Sequence, residues 1–288
     1  METRPTPAAE KPVDVDVLVT PGWLEAHLSD PDLRVIEIDM SPVAFEAGHI
    51  DGAVLWNVYR DLKDPAYRPV TRAAVGALLA RSGVSPDSTV VFYGYAPAMG
   101  VWLLSLYGHA DARILDCRRQ DWRDQGRPWS TGGQLPAATS YPLAGETDPI
   151  RARWEDVEQA ISGPATTILD VRSGPEFRGE QFWPSGGSEP GGRAGHVPSA
   201  VNVTVDGGVY DEHGAFRTAG ELGELFGAID PDGDGDLIVY CTIGGRACTA
   251  WFVLTHLLGR RNVRVYDGSW AEWGLMPTTP VATTGQGS

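Results

Sequence analysis

Four short strings recur in the same order in the two halves of this 288-residue chain. The first half reads VIEID (35–39), GHIDGA (48–53), VVFYG (90–94) and ARILD (112–116), and the second answers with TILDV (167–171), GHVPSA (195–200), LIVYC (237–241) and VRVYD (263–267). His49 precedes Tyr93 by 44 positions, and His196 precedes Tyr240 by the same 44. Equal spacing marks the halves as copies of one domain. Short apolar runs alternate with helical stretches at 72–81, 99–107, 154–161 and 220–228, the pattern of α/β units on a mainly parallel sheet. The expectation is two small doubly wound domains, 13–128 and 150–276. Residues 129–149, rich in Gly, Pro, Ser and Thr, form an extended surface link between them, and 1–12 and 277–288 are disordered tails.

The copies differ where chemistry could sit. In the second, DLIVY (236–240) predicts a buried strand and 247–258 a helix, with Cys241-Thr242-Ile243-Gly244-Gly245-Arg246 between them. Glycines let the loop backbone curl with its N–H groups inward, and the helix start adds a positive dipole end, so a thiolate at Cys241 is favoured. The plainer reading, a small buried core thiol, fits Cys248 inside the helix better, and Cys117 reads as packing or incidental exposure. Arg246 is placed to meet an anion. Asp170 and Arg172 read as a pair that braces the loop from the neighbouring strand end. Arg178 and Arg193 flank an insertion, 179–195, that the first half lacks: 26 positions separate Asp170 from His196, against 10 from Asp39 to His49. Its length suggests a lid over the site, with Arg178 a substrate contact. His49 and His196 recur in both copies, which points to bracing of a turn rather than to catalysis.

Composition removes several alternatives. A formal charge of −15 disfavours nucleic acid and anionic membranes as partners. Lys11 and Lys63 are the only lysines, so a cation in a site is expected to be a guanidinium. Three cysteines without ligand spacing argue against a disulfide framework or a structural zinc. With neither an apolar signal core nor a membrane-length run, the chain reads as cytoplasmic. Residues 230–241 open like a calcium loop but carry Cys241 where a bidentate Glu is needed, and Asn202-Val203-Thr204 is a sequon without a secretory context.

Together the paired modules, the GHI and GHV strings, Asp170-Val171-Arg172, the YCTIGGRA loop and YDGSWAEW (266–273) resemble the tandem-domain rhodaneses, the thiosulfate sulfurtransferases, over nearly everything from 19 to 276. The resemblance implies an N-terminal module that is catalytically silent, in keeping with Gly94 in the place of Cys241. It implies that the Cys241 thiolate takes the outer sulfur of a small anionic donor such as thiosulfate, carries it as a persulfide, and yields it to cyanide or to a small-molecule or protein thiol. Loop N–H groups from Thr242 to Arg246 would cradle that sulfur, and neither a metal nor an organic cofactor is implied. Relatives that use 3-mercaptopyruvate carry a Ser where Ile243 stands, assisted by residues matching Asp39 and His49, and present arginines where Glu176 and Ser185 stand. Thiosulfate is therefore expected over mercaptopyruvate. Thr242 and Ile243 replace the basic residues of vertebrate-type rhodaneses. Phosphatases of the same fold need five residues between Cys and Arg, and this loop has four. A non-catalytic or persulfide-carrying binding module is the remaining alternative.

Overall fold

The computed structural model describes residues 17–132, 136–143, 148–163, 165–229, 233 and 235–283, and in it each half builds a five-stranded parallel sheet. The first half runs β1 (Leu18–Val19), α1 (Pro21–His27), β2 (Leu33–Asp39), α2 (Val43–Ala47), β3 (His49–Ile50), β4 (Val54–Asn57), α3 (Arg72–Arg81), β5 (Thr89–Gly94), α4 (Pro97–Leu106), β6 (Ala112–Leu115), α5 (Arg119–Asp124) and β7 (Trp129–Ser130). The second runs β8 (Arg151–Ala152), α6 (Trp154–Ser162), β9 (Thr166–Asp170), α7 (Gly174–Arg178), β10 (Val201–Asn202), α8 (Ala219–Leu225), β11 (Asp236–Tyr240), α9 (Gly245–Phe252), β12 (Val263–Tyr266) and α10 (Ser269–Trp273). The orders β1-β6-β5-β2-β4 and β8-β12-β11-β9-β10 are one topology used twice. Central strands β5 and β11 are buried along most of their length, as parallel strands covered on both faces must be.

Side-chain caps begin several helices: Thr71 Oγ1 accepts from Ala74 N at the start of α3, and Ser173–Glu176 and Thr218–Glu221 form capping boxes on α7 and α8. Helices α4 and α9 are apolar nearly all round because they pack on each other across the seam between the halves. One apolar cluster, including Phe92, Leu104, Trp251 and Phe252, therefore runs through both copies. Full burial of each such side chain stabilises by about 2–3 kcal/mol. The helix expected at 247–258 keeps α-geometry only to Phe252 and widens into a π-type turn at Val253–Leu257.

Three expectations are corrected. Register sets Glu37 opposite Tyr93 and Asp170 opposite Tyr240, so the counterpart of Asp170 is Glu37, not Asp39. Of the supposed C-terminal tail, the described residues 277–283 are built into the fold: Thr279 is buried, Trp273 Nε1 donates to Pro280 O at 2.9 Å, and Ala282 pairs with His196. Arg193 gathers this strap, donating to the carbonyls of Trp273, Met276 and Thr279. The link begins in the same way, since β7 pairs antiparallel with β3, His49 opposite Ser130, so 129–130 belong to the first domain. Farther on the link lies on the first half, where Thr139 N donates to Ala80 O and Tyr141 OH meets His109 Nδ1 at 2.8 Å. The tail at 1–12 lies outside the described residues, as do 230–232 and 234 of the calcium-like string.

Candidate active site

The end of β11 is anchored before the loop begins. Tyr240 OH donates to Asp170 Oδ2 at 2.5 Å and accepts from Val197 N at 3.1 Å. Arg172 grips the same carboxylate, Nη2 to Oδ2 at 2.6 Å, donates to Gly195 O at 2.7 Å, and lies 4.5 Å from the Trp270 ring centroid. Asp170 and Arg172 are both fully buried beneath the loop, in a bracing position. Both carboxylate oxygens and two guanidinium nitrogens of this buried pair are engaged, while Arg172 Nη1 has no hydrogen-bond partner among the described residues.

From this anchor the loop is hung on α10. Trp270 N and Ala271 N donate to the carbonyls of Cys241 and Thr242, at 3.0 and 2.9 Å, and Cys241 N donates to Ser269 Oγ at 3.1 Å. With those carbonyls drawn outward, Gly244 N donates to Cys241 Sγ at 3.1 Å. Gly244 has φ 98°, and a Cβ there would crowd Asp267 O at 3.0 Å and Lys63 Nζ at 3.2 Å. Only glycine meets both demands.

Cys241, 1% exposed, forms part of the floor of a cavity of about 460 Å³ between the halves. Thr242, Ile243, Gly245 and Arg246 line it, while Gly244 backs onto Lys63. The insertion supplies Trp183, Pro184, Ser185 and Glu189 to the rim, with Trp183 Nε1 donating to Glu189 Oε2 at 3.0 Å. Arg178 stands apart: its guanidinium pairs with Glu180 at 2.6 Å, outside the cavity lining. Asp39 and His49 are also elsewhere. Asp39 accepts from Met40 N in its own turn, and His49 stacks on Phe45 with Nδ1 bonded to Phe45 O, as His196 does with Phe177.

Sequence reasoning missed the first half's share of the cavity, namely Met40, Val58, Tyr59, Tyr67, Tyr95 and Met99, and Lys63 behind the loop. The repeat itself held a signal for two of them, because Tyr95 and Met99 follow Gly94 as the loop follows Cys241. Nothing in the pattern of 58–69 marks which side chain faces the other half.

Arg246 is less available than its position suggested. Nη1 donates to Glu176 Oε2 at 2.9 Å and to Asp206 Oδ2 at 2.7 Å, and Nη2 to Glu176 Oε1 at 2.8 Å and Thr242 Oγ1 at 2.6 Å. Glu176 is aimed there by the capping box of α7, in which its Oε2 accepts from Ser173 N and Oγ. Burial pushes the Glu176 carboxyl up, but the Arg246 guanidinium and the Thr242 and Ser173 hydroxyls outweigh it, and the carboxyl lies below its ordinary range. The expectation that Arg246 offsets a donor's charge thus meets two carboxylates already in place.

Comparison with known proteins gives the family. The Rhodanese-like domain matches twice, over residues 20–125 and 153–275. The chain belongs to the rhodanese family. It is 36% identical to the thiosulfate sulfurtransferase of Corynebacterium glutamicum across 97% of this chain and 94% of that one, and 37% identical to the sulfur carrier protein TtuD of Thermus thermophilus across 93% and 96%. Among solved structures, YnjE superposes with a TM-score of 0.75 at 28% identity over 94% of this chain and 69% of that one. EanB superposes at 0.80 and 22% identity over 94% and 70%, a likeness of fold. The family match and the two curated relatives give this chain's general activity as sulfur transfer between a sulfur donor and an acceptor. Among the described residues no helix is long and apolar enough to cross a membrane.

Proposed function

We propose that this rhodanese moves sulfane sulfur from thiosulfate, or another sulfane donor, to cyanide or a thiol through a persulfide on Cys241. The Sγ thiolate attacks the donor's outer sulfur, the S–S bond breaks, and sulfite leaves with the electron pair. An acceptor nucleophile then takes the outer sulfur and returns the thiolate. The observation that carries this reading is Cys241 Sγ at the floor of the cavity with the Gly244 N–H directed at it from 3.1 Å. An N–H fixed before reaction stabilises an anionic sulfur without reorganisation. The four-residue interval between Cys241 and Arg246 supports a sulfur-sized cradle over a phosphatase loop.

Mercaptopyruvate is the weaker donor on this reading. Ile243 offers no hydroxyl, Asp39 and His49 are engaged away from the cavity, and Glu176 with Asp206 would repel a carboxylate. Those carboxylates also weaken the case for thiosulfate, a dianion. They favour a second reading, in which Cys241 receives sulfur from a persulfide of low charge and the protein acts as a sulfur carrier. Intact-mass spectrometry separates the outcomes. Incubation with thiosulfate is expected to add one sulfur, removable by cyanide and absent in Cys241→Ser. Loading by cysteamine persulfide, whose ammonium offsets the charge on its sulfur, but not by thiosulfate would favour the carrier reading, and loading by mercaptopyruvate alone would overturn the donor preference. Turnover of an aryl phosphate would overturn the sulfur chemistry.

A further inference from the structure

Lys63 is the only lysine among the described residues, and it is buried, 5% exposed. It belongs to the half without the loop cysteine, just past β4, yet its Nζ crosses the seam and donates to Asp267 O at 2.7 Å. A Cβ on Gly244 would stand 3.2 Å from that Nζ. The ammonium therefore lies directly behind the glycine whose N–H is directed at Cys241 Sγ.

An interior ammonium is costly, and a hydrocarbon side chain of the same length would fill the space at less expense. Burial pulls the Lys63 ammonium below its ordinary value, and Asp267, Cys248 and Cys241 are the neighbours whose negative charge works the other way. Asp267 is one carboxylate that acts on Lys63, but Arg151 already faces it, Nε to Oδ2 at 3.1 Å. The other groups around Lys63 are Glu272 on α10, Cys248 on α9 and Cys241 on the loop. From the cavity side Cys241 also faces Arg246 and Tyr95, and Arg246 is divided between Glu176 and Asp206. The cation behind the loop thus stands against a cysteine whose front-side cation is already committed.

We propose that Lys63 is a positioning residue contributed by the half without the loop cysteine. It holds the Asp267 carbonyl so that Gly244 keeps its N–H on the sulfur, and its charge favours the anionic forms of Cys241, thiolate and then persulfide. The persulfide clause rests on the sulfur transfer through Cys241 proposed above; the thiolate clause does not.

The test is the pH profile of iodoacetamide alkylation at Cys241, read by peptide mass spectrometry on the full chain, with Cys117 as internal control. In Lys63→Met the midpoint at Cys241 is expected to rise by about one unit, slowing alkylation near neutral pH by about tenfold. Lys63→Arg is expected to recover most of that rate, and Cys117 to stay unchanged. Should Lys63→Met fail to fold, Asp267→Asn serves instead, because removing the opposing carboxylate is expected to lower the Cys241 midpoint. An unchanged midpoint in Lys63→Met, or an unchanged or raised one in Asp267→Asn, overturns the proposal. If the parent Cys241 alkylates but accepts sulfur from no donor, the proposed sulfur transfer fails while the thiolate clause stands or falls on its own profile.

Discussion

At the carboxyl end of their central strands the two halves solve one problem with different parts. Each places a buried carboxylate beside a buried tyrosine whose OH accepts a backbone N–H, from Ile50 to Tyr93 and from Val197 to Tyr240, both at 3.1 Å. Each brings a guanidinium to that carboxylate and to the carbonyl of the glycine before the recurring histidine, Gly48 or Gly195. In the second half the cation is Arg172, two residues along the same strand end, with several hydrogen bonds to Asp170. In the first it is Arg119 from α5, whose Nη1 stops 3.4 Å short of Glu37, and burial pushes the Glu37 carboxyl up. The copy that carries the loop cysteine thus has the more completely paired floor. What the fold requires is a cation at this point, and the position in the chain that supplies it is free to drift.

The cavities repeat as well. Over Gly94 lies a space of about 480 Å³ faced by 207–217 of the second half, as the Cys241 cavity is faced by 58–67 of the first. Cys117 lines it, but burial pushes its thiol up to about 11, so it is no substitute nucleophile at neutral pH. Gly94 has φ 103°, and a Cβ there would lie 2.7 Å from Ile38 O.

The comparison can be broken most directly by moving the nucleophile. Cys241→Ser is expected to abolish sulfur loading, and adding Gly94→Cys to restore none of it while costing about 1–3 kcal/mol from the strained backbone; loading at the introduced thiol would show that only the cysteine distinguishes the halves. Next come the two cations. Arg172→Met leaves Asp170 buried and uncompensated, an expected loss of about 3–5 kcal/mol in urea unfolding. Arg119→Met is expected to cost at least about 1 kcal/mol less, since Glu37 can keep its proton; equal losses would erase the distinction. The smallest effect is one of sign. Glu176 is held low in the fold, so its contribution is present above the unfolded carboxylate pKa and is lost as pH falls through the folded value. Glu37 is held high, so its contribution is present at acid pH and is lost as pH rises through its folded value. Relative to the parent, Glu176→Gln should therefore lose stability and Glu37→Gln gain it as pH rises across the carboxylate range; parallel slopes in thermal melts would contradict the assignment.

The architecture was legible because strand spacing survives duplication, and the loop because strand, glycines and helix start are local patterns. The partner of Asp170 was misplaced because string matching aligned the last acidic residue of VIEID, whereas hydrogen-bond register aligns the first. The strap at 277–283 resembled a tail by composition, though the pairing of His49 with Ser130 in the first copy has its counterpart in that of His196 with Ala282. Lys63 was illegible, because a contact with a residue 204 positions away leaves no periodicity.

The apolar cluster shared by α4 and α9 has one more implication. Each half keeps an apolar cluster of its own, but the largest runs through both, so the halves are expected to lose order together in a single calorimetric transition. A substitution on the α4 side of that cluster is then also a change in the folding equilibrium of the half that carries the loop cysteine.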